Sequence, residues 1–158
     1  MANATSDGEI VLRAARRGDL PAIVALLADD ELGARREENA DPLPDAYWRA
    51  FDEMSAQSGN VVLVAEEAGR LVGCLQLTMI PGLARRGSKR AQLEGVRVAA
   101  ACRGRGVGEM LVTRAIEMAR AEGCALVQLT TDNSRAGAHR FYERLGFVAS
   151  HIGMKLSL

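Results

Sequence analysis

The strongest chemical signal in this 158-residue chain lies in one stretch: Val96-Arg97-Val98, then Ala99 to Cys102, then Arg103-Gly104-Arg105-Gly106-Val107-Gly108. A strand pattern runs into a glycine-rich turn, and the turn opens an amphipathic helix. Glycine lets backbone approach a ligand closely because no Cβ intervenes. The first turn of a helix carries unpaired N–H groups and the positive end of its dipole. Together these make an anion site suited to a pyrophosphate, and Arg103 and Arg105 add charged donors. A Walker loop is excluded because no Lys-Ser/Thr follows the glycines. A dinucleotide fingerprint fails because its last glycine would fall on Glu109. What remains is Arg-x-x-Gly-x-Gly behind a strand. A tight strand-to-helix turn that holds no ligand is the competing reading.

The elements that must position this turn follow from periodicity. Glu9 to Ala14 reads as a short strand. Asp19 can cap a helix with Pro21 in its first turn and Ile23, Val24, Leu26 and Leu27 as its apolar stripe. Asp29 to Asp41 is charge-rich and aperiodic, a loop or a frayed helix. Pro44 to Gln57 predicts a second helix. Val61 to Ala65 and Leu71 to Ile80 predict a hairpin across Glu67-Ala68-Gly69-Arg70. Pro81 to Arg90 is a basic loop and Ala91 to Val98 a strand. Val107 to Glu122 has the clearest helical period, with Leu111, Val112, Ala115, Ile116 and Ala119 on one face and Gly123 as the stop. Cys124 to Thr131 predicts a strand, Ala136 to Leu145 a helix, and Phe147 to Leu156 a final strand or pair. Hairpins mixed with βαβ crossovers argue for one α/β sheet flanked by helices.

Composition bounds the function. The length suits one domain, and 48% hydrophobic residues with 25% charged exclude a disordered chain. Twenty basic side chains match twenty acidic ones, which argues against a nucleic-acid partner. The longest wholly apolar run, Ala22 to Ala28, is far shorter than the roughly 20 residues of a membrane span. The first residues have neither a basic nor an apolar leader region, so no secretory signal is expected. Three widely spaced cysteines suit a reducing cytoplasm and predict neither disulfides nor a metal site. The neutral total hides a division. Residues 1–80 hold 7 basic and 14 acidic side chains, and residues 81–158 hold 13 and 6. Two solvated surfaces would explain this; so would a second half that holds an anion and a first half that meets a cation.

With these residues in place, the chain resembles the GCN5-related N-acetyltransferase family. Arg103 to Gly108 looks like that family's acetyl-CoA pyrophosphate motif. Ala138-His139-Arg140-Phe141-Tyr142-Glu143-Arg144-Leu145-Gly146-Phe147 looks like its second signature, a helix that delivers a Tyr and ends at Gly-Phe. The resemblance covers roughly residues 9–157. It implies an acetyltransferase domain over 9–158 behind a flexible N-terminus, residues 1–8. The implied fold is a mixed sheet of six or seven strands flanked by about four helices, with strands 4 and 5 splayed to admit acetyl-CoA. Many members carry Asn seven residues before the Tyr; here that place is Arg135, with Asn133 two residues earlier. The string Leu129 to Arg135, with Ser150-His151, is similar to the branch that includes aminoalkylphosphonate N-acetyltransferases.

The resemblance assigns expected roles. Acetyl transfer needs a held thioester, a neutral amine, a bonded oxyanion and a protonated leaving sulfur. Backbone at Val96 and Val98 would hold the thioester, and Arg103, Gly104, Arg105, Gly106, Val107 and Gly108 the pyrophosphate. Asn133 or Arg135 would stand in for the family Asn. Tyr142 would protonate the sulfur. Glu94, the only acid between Glu67 and Glu109, would take the amine's proton and face the substrate. Tyr47, Trp48 and Phe51 would wall the acceptor pocket. The expected substrate is the primary amine of a small molecule, with a peptide amine or a non-catalytic acyl-CoA-binding module as alternatives. A homodimer is implied by the family's habit of pairing through sheet edges or C-terminal strands.

Overall fold

The computed structural model describes residues 8–158, so Met1 to Asp7 of the expected flexible N-terminus lie outside it. Among the described residues one sheet of five strands runs in chain order. The strands are β1 (Ile10–Ala14), β2 (Asn60–Glu67), β3 (Arg70–Ile80), β4 (Lys89–Val98) and β5 (Cys124–Leu129). The first four pair antiparallel; β4 and β5 pair parallel. A parallel pair needs a crossover, which α5 (Val107–Ala121) supplies. The other helices are α1 (Leu20–Ala28), α2 (Glu31–Ala34), α3 (Asp45–Ala56), α4 (Ala84–Gly87) and α6 (Ala136–Arg144).

The core forms on both sheet faces. The predicted stripe of α5 buries Leu111, Val112, Ala115 and Ala119 against Leu63, Ala65, Leu75, Leu77, Ala91 and Leu93. On the other face Ile23 and Leu26 of α1 cover Val64 and Cys74. Each fully buried Leu or Val contributes about 1.5–3 kcal/mol, so α5 is anchored firmly. Gly73 sets how closely it sits. A Cβ there would lie 2.9 Å from Leu111 Cδ1 and 3.0 Å from the Arg97 carbonyl oxygen.

Apart from the last strand, the expected helices and strands stand, with corrections at the edges. α2 and α4 are single turns that periodicity does not reveal. Arg85 and Arg86 of α4 take left-handed backbone angles, which non-glycine residues rarely adopt. Asp19 does not cap α1 with its side chain. Its carboxylate accepts bonds from Arg13 at 2.7 and 3.0 Å and from the Arg16 N–H at 2.7 Å.

The sheet has five strands where six or seven were expected. The missing strand is the one assigned to Phe147–Leu156, which forms none. A strand exists only where an edge pairs with it, and β5 pairs with β4 alone. Beyond Phe147 the segment's large side chains are left in solvent: Val148 is 81% exposed, Ile152 and Met154 92%, and Leu156 87%. No helix among the described residues is long and apolar enough to cross a membrane.

Candidate active site

A bulge opens the sheet where the glycine turn begins. β4 follows β3 in register up to Glu94, opposite Gln76, and again from Arg97, opposite Cys74. Between them Gly95 and Val96 both face Leu75. Such a bulge bends its strand and interrupts side-chain alternation. Gly95 has φ +58°, a conformation that favours glycine. β5 pairs with β4 only from Lys89 to Leu93. From Glu94 onward the β5 side of β4 is unpaired, because β5 ends at Leu129 opposite Leu93. Gly95→Ala should lower stability by about 1–2 kcal/mol, since its new Cβ would also sit 3.4 Å from Leu27 Cδ2. Thermal unfolding measures this.

The slot continues into a cavity of about 410 Å³ lined by Val96, Arg97, Val98, Arg103, Ser134, Arg135 and Asp30 to Leu32. The glycine turn lies at its end. Gly104 and Gly106 have φ +76° and +81°, with open space where a Cβ would stand. Gly106 is the residue before α5, so the first N–H groups of that helix point out of the turn. Gly108 instead packs inward, where a Cβ would meet the Phe141 ring at 3.3 Å. Val107 is buried in the core.

The two turn arginines have different surroundings. Arg105 forks onto Glu67 at 2.6 and 3.1 Å and ties the turn to the β2–β3 hairpin. That guanidinium holds the Glu67 carboxyl below the usual range. Arg103 donates to the carbonyls of Val98 and Asp29, both at 3.2 Å, at the mouth of the cavity.

Across the slot lies an acidic doublet that the sequence reading left in a loop. Asp29 follows α1, and its carboxylate accepts the Ala100 N–H at 3.1 Å. Asp30 caps α2 by accepting the Gly33 N–H at 2.6 Å. Its other oxygen lies 2.8 Å from Arg135 and 3.3 Å from Arg97 Nε. Although burial works the other way, the Gly33 N–H and the two guanidiniums hold the Asp30 carboxyl below its ordinary value. Arg97, on the strand that leads into the glycine turn, reaches Asp30 across the slot.

The remaining expected residues are distributed as follows. Tyr142 is mostly buried on α6, with edge-on ring contacts to Phe141 at 5.0 Å and Phe147 at 5.7 Å. Burial pushes its phenol up, and the charges of Arg97 and Arg135 pull it partly back. Glu94 is exposed beside the bulge and has no ion-pair or hydrogen-bond partner among the described residues. Asn133 is exposed in the loop before α6 and does not line the cavity, whereas Ser134 and Arg135 do. Tyr47, Trp48 and Phe51 do not line it either. They pack on α3 against Leu20, Val24 and Leu43, with the Tyr47 hydroxyl donating to Glu37 at 2.9 Å and Trp48 donating to the Leu43 carbonyl at 3.3 Å. Phe51 also borders a separate 190 Å³ pocket against β2. Cys74 is sealed under the bulge, and burial pushes its thiol up to about 12.

Asp29, Asp30, Arg97 and Ser134 are the site residues that sequence reasoning missed. An acidic doublet directly after an apolar helix, and an arginine between two backbone-binding valines, were the available signals.

The chain matches the profile of the Acetyltransferase (GNAT) family over residues 21–147. Glucosamine 6-phosphate N-acetyltransferase 1 of Oryza sativa subsp. japonica is 38% identical over 119 residues, 73% of this chain and 70% of the rice protein. The aminoalkylphosphonate N-acetyltransferase of Salmonella typhimurium is 45% identical over 49 residues only, 31% of this chain and 32% of that protein. Among solved structures, that of a transcriptional regulator from Bacillus halodurans C-125 superposes with a TM-score of 0.93 at 49% identity. It covers 95% of this chain and 100% of its own.

Proposed function

The chain belongs to the acetyltransferase (GNAT) family and is an N-acetyltransferase with acetyl-CoA as co-substrate, and we propose that its acceptor is the primary amine of a small phosphorylated amino sugar. The observation that carries the reaction is the unpaired β4 edge opening directly onto the glycine turn of α5. The acceptor class is supported by the similarity to the rice enzyme, which spans most of both chains. Similarity to the phosphonate branch covers about a third of this chain and supports that narrower reading less.

The residues fit an anionic acyl carrier. The α5 N-terminus offers N–H groups and dipole to a pyrophosphate, with Arg103 at the cavity mouth. Acetyl-CoA brings the acetyl group as a thioester. Backbone N–H groups of β4 beside the bulge hold the thioester carbonyl and stabilise charge on its oxygen. Glu94, without another side-chain partner among the described residues, takes the acceptor's proton directly or through water. Tyr142, kept protonated by burial, gives its proton to the departing sulfur.

The test is a panel of amines with acetyl-CoA, read as free thiol released: glucosamine 6-phosphate, glucosamine, an aminoalkylphosphonate and an N-terminal peptide. Preference for the sugar phosphate is expected. Preference for the peptide or the phosphonate would overturn the acceptor. Binding of acetyl-CoA with no turnover on any amine would leave a regulatory role of the kind that the Bacillus halodurans protein's name states.

The active assembly is a homodimer closed by the C-terminal segment. Val148, Ile152, Met154, Leu156 and Leu158 are all exposed. From Ile152 on, the large side chains alternate with small or polar residues, the pattern of a strand with one buried face. The β5 edge stands unpaired close by. Sedimentation should give a dimer, and removal of residues 148–158 should give a monomer that aggregates more readily. A full-length monomer at micromolar concentration would remove the dimer.

A further inference from the structure

We propose that Arg97 and Arg135 form a subsite for a phosphoryl or phosphonyl dianion carried by the acceptor. That the acceptor carries such a group rests on the reading given above; the subsite itself rests on the geometry of the cavity.

Both arginines line the 410 Å³ cavity. They reach it from different walls, Arg97 from β4 beyond the bulge and Arg135 from the residue before α6. They meet at one atom, for Asp30 Oδ2 lies 2.8 Å from Arg135 Nη2 and 3.3 Å from Arg97 Nε. Two nitrogens that reach the same oxygen stand no farther apart than those contacts laid end to end. One tetrahedral anion bridges that gap with two of its oxygens. Arg97 is fixed further by donating from Nη1 to the Val96 carbonyl at 3.0 Å. Its guanidinium is thereby tied to the stretch of β4 assigned to the thioester.

These arginines are paired differently from others in the molecule. Arg105 closes a fork on Glu67 at 2.6 and 3.1 Å, and Arg13 closes one on Asp19 at 2.7 and 3.0 Å. A fork of this kind matches a guanidinium to both oxygens of one carboxylate. Asp30 forks neither of its arginines. It accepts one bond from Arg135. Its contact with Arg97 Nε is not aligned as a bond, and that buried nitrogen is left without one. Among the described residues Arg97 Nη2 and Arg135 Nε and Nη1 also have no protein partner. Spare donors converging from two walls suit the several acceptor oxygens of a phosphate or phosphonate.

Charge points the same way. The cations lining the cavity are Arg97, Arg103 and Arg135, and the carboxylates are Asp30 and Glu31. Glu31 is drawn to Arg35 at 2.8 Å, and Arg103 to the Asp29 carboxylate at 3.6 Å. Two guanidiniums therefore share one carboxylate. Their side chains are 19% and 29% exposed, and that of Asp30 22%. A ligand can reach them, and water screens them only partly. Asp30 lets the two like charges stand side by side, and a dianion supplies the negative charge that the pair still lacks. The pyrophosphate of acetyl-CoA does not compete for this place, because the glycine turn of α5 provides its own.

Protein saturated with CoA, which fills the cofactor's phosphate contacts, is titrated by calorimetry with glucose 6-phosphate, methylphosphonate and glucose. None of the three carries an amine, so binding is read without turnover. The two anions should bind and glucose should not, and the tighter anion identifies the carrier. Arg97→Gln and Arg135→Gln, each checked by thermal unfolding, should weaken anion binding by about 10- to 100-fold, the effect of losing a hydrogen bond to a charged group. Arg135→Lys should recover part of it. In the amine assay the Gln variants should raise the KM for glucosamine 6-phosphate more than they change kcat, and should erode its preference over glucosamine. Acetyl-CoA affinity should change far less. No anion binding by the parent protein, or equal binding by both folded Gln variants, would overturn the subsite. A loss of acetyl-CoA affinity as large as the loss of anion binding would assign the pair to the cofactor and overturn it too. Anion binding weakened as expected, in a protein that acetylates no phosphorylated amino sugar, would keep the subsite and overturn the acceptor proposed above.

Discussion

Tyr142→Phe should lower kcat by about 10²- to 10³-fold, the range of a lost general acid, while acetyl-CoA binds as before. The substitution removes one oxygen and keeps the ring. The edge contacts to Phe141 and Phe147 survive, so α6 should keep its place and the loss should be chemical. Burial dominates the phenol's surroundings and keeps it protonated through neutral pH, which is the state a proton donor needs. Steady-state kinetics with calorimetric titration of acetyl-CoA separates the two effects. Turnover unchanged in the Phe variant would remove Tyr142 from the chemistry. A variant that no longer bound acetyl-CoA would show that the hydroxyl shapes the slot.

Gly73→Ala should have the largest structural effect, a loss of about 2–3 kcal/mol, as expected for forcing atoms into a packed interior. The new methyl would stand 2.9 Å from Leu111 Cδ1, 3.0 Å from the Arg97 carbonyl oxygen and 3.1 Å from Val107 Cγ1. Leu111 can shift a little, but the backbone oxygen is held by strand pairing between β3 and β4. Relief must come from moving α5 outward at its N-terminal end. That end carries the glycine turn, so acetyl-CoA affinity should fall together with the melting temperature. For a chain of this size the midpoint should drop by about 5–10 °C. A variant as stable as the parent would mean that α5 is not held by this contact.

The sequence was informative where a local rule has one outcome. Leu111, Val112, Ala115 and Ala119 recur at helical spacing, and α5 buries them as that spacing demands. Gly104 and Gly106 adopt the backbone angles for which glycine is needed. Pairing across space was not legible. Nothing in Asp29-Asp30 reveals that one side chain reaches Ala100 and the other Arg135, more than a hundred residues away. The bulge at Gly95 was hidden too, because alternation continues on paper through a position where two residues face one. The expected acceptor wall, Tyr47, Trp48 and Phe51, lies away from the cavity. Tyr47, Trp48 and Phe51 are near in sequence because they share a helix, and that helix covers Leu20 and Val24 rather than the slot. The final strand failed because alternation supplies only the pattern of a strand; the pairing edge must come from elsewhere.

The short parallel pairing of β4 with β5 also determines how the protein opens. β5, α6 and the C-terminal segment join the antiparallel meander through Lys89–Leu93 and little other ladder. If this portion opens before the meander, its backbone amides should exchange with deuterium at lower protection than those of β2 and β3. One wall of the slot belongs to the part that detaches and the other to the part that stays. A molecule lying between them stitches the two together, and by mass action its concentration sets how often they part. The local supply of acetyl-CoA would thus govern the lifetime of the folded chain as well as its rate of work, and a starved enzyme would be the one a protease finds first.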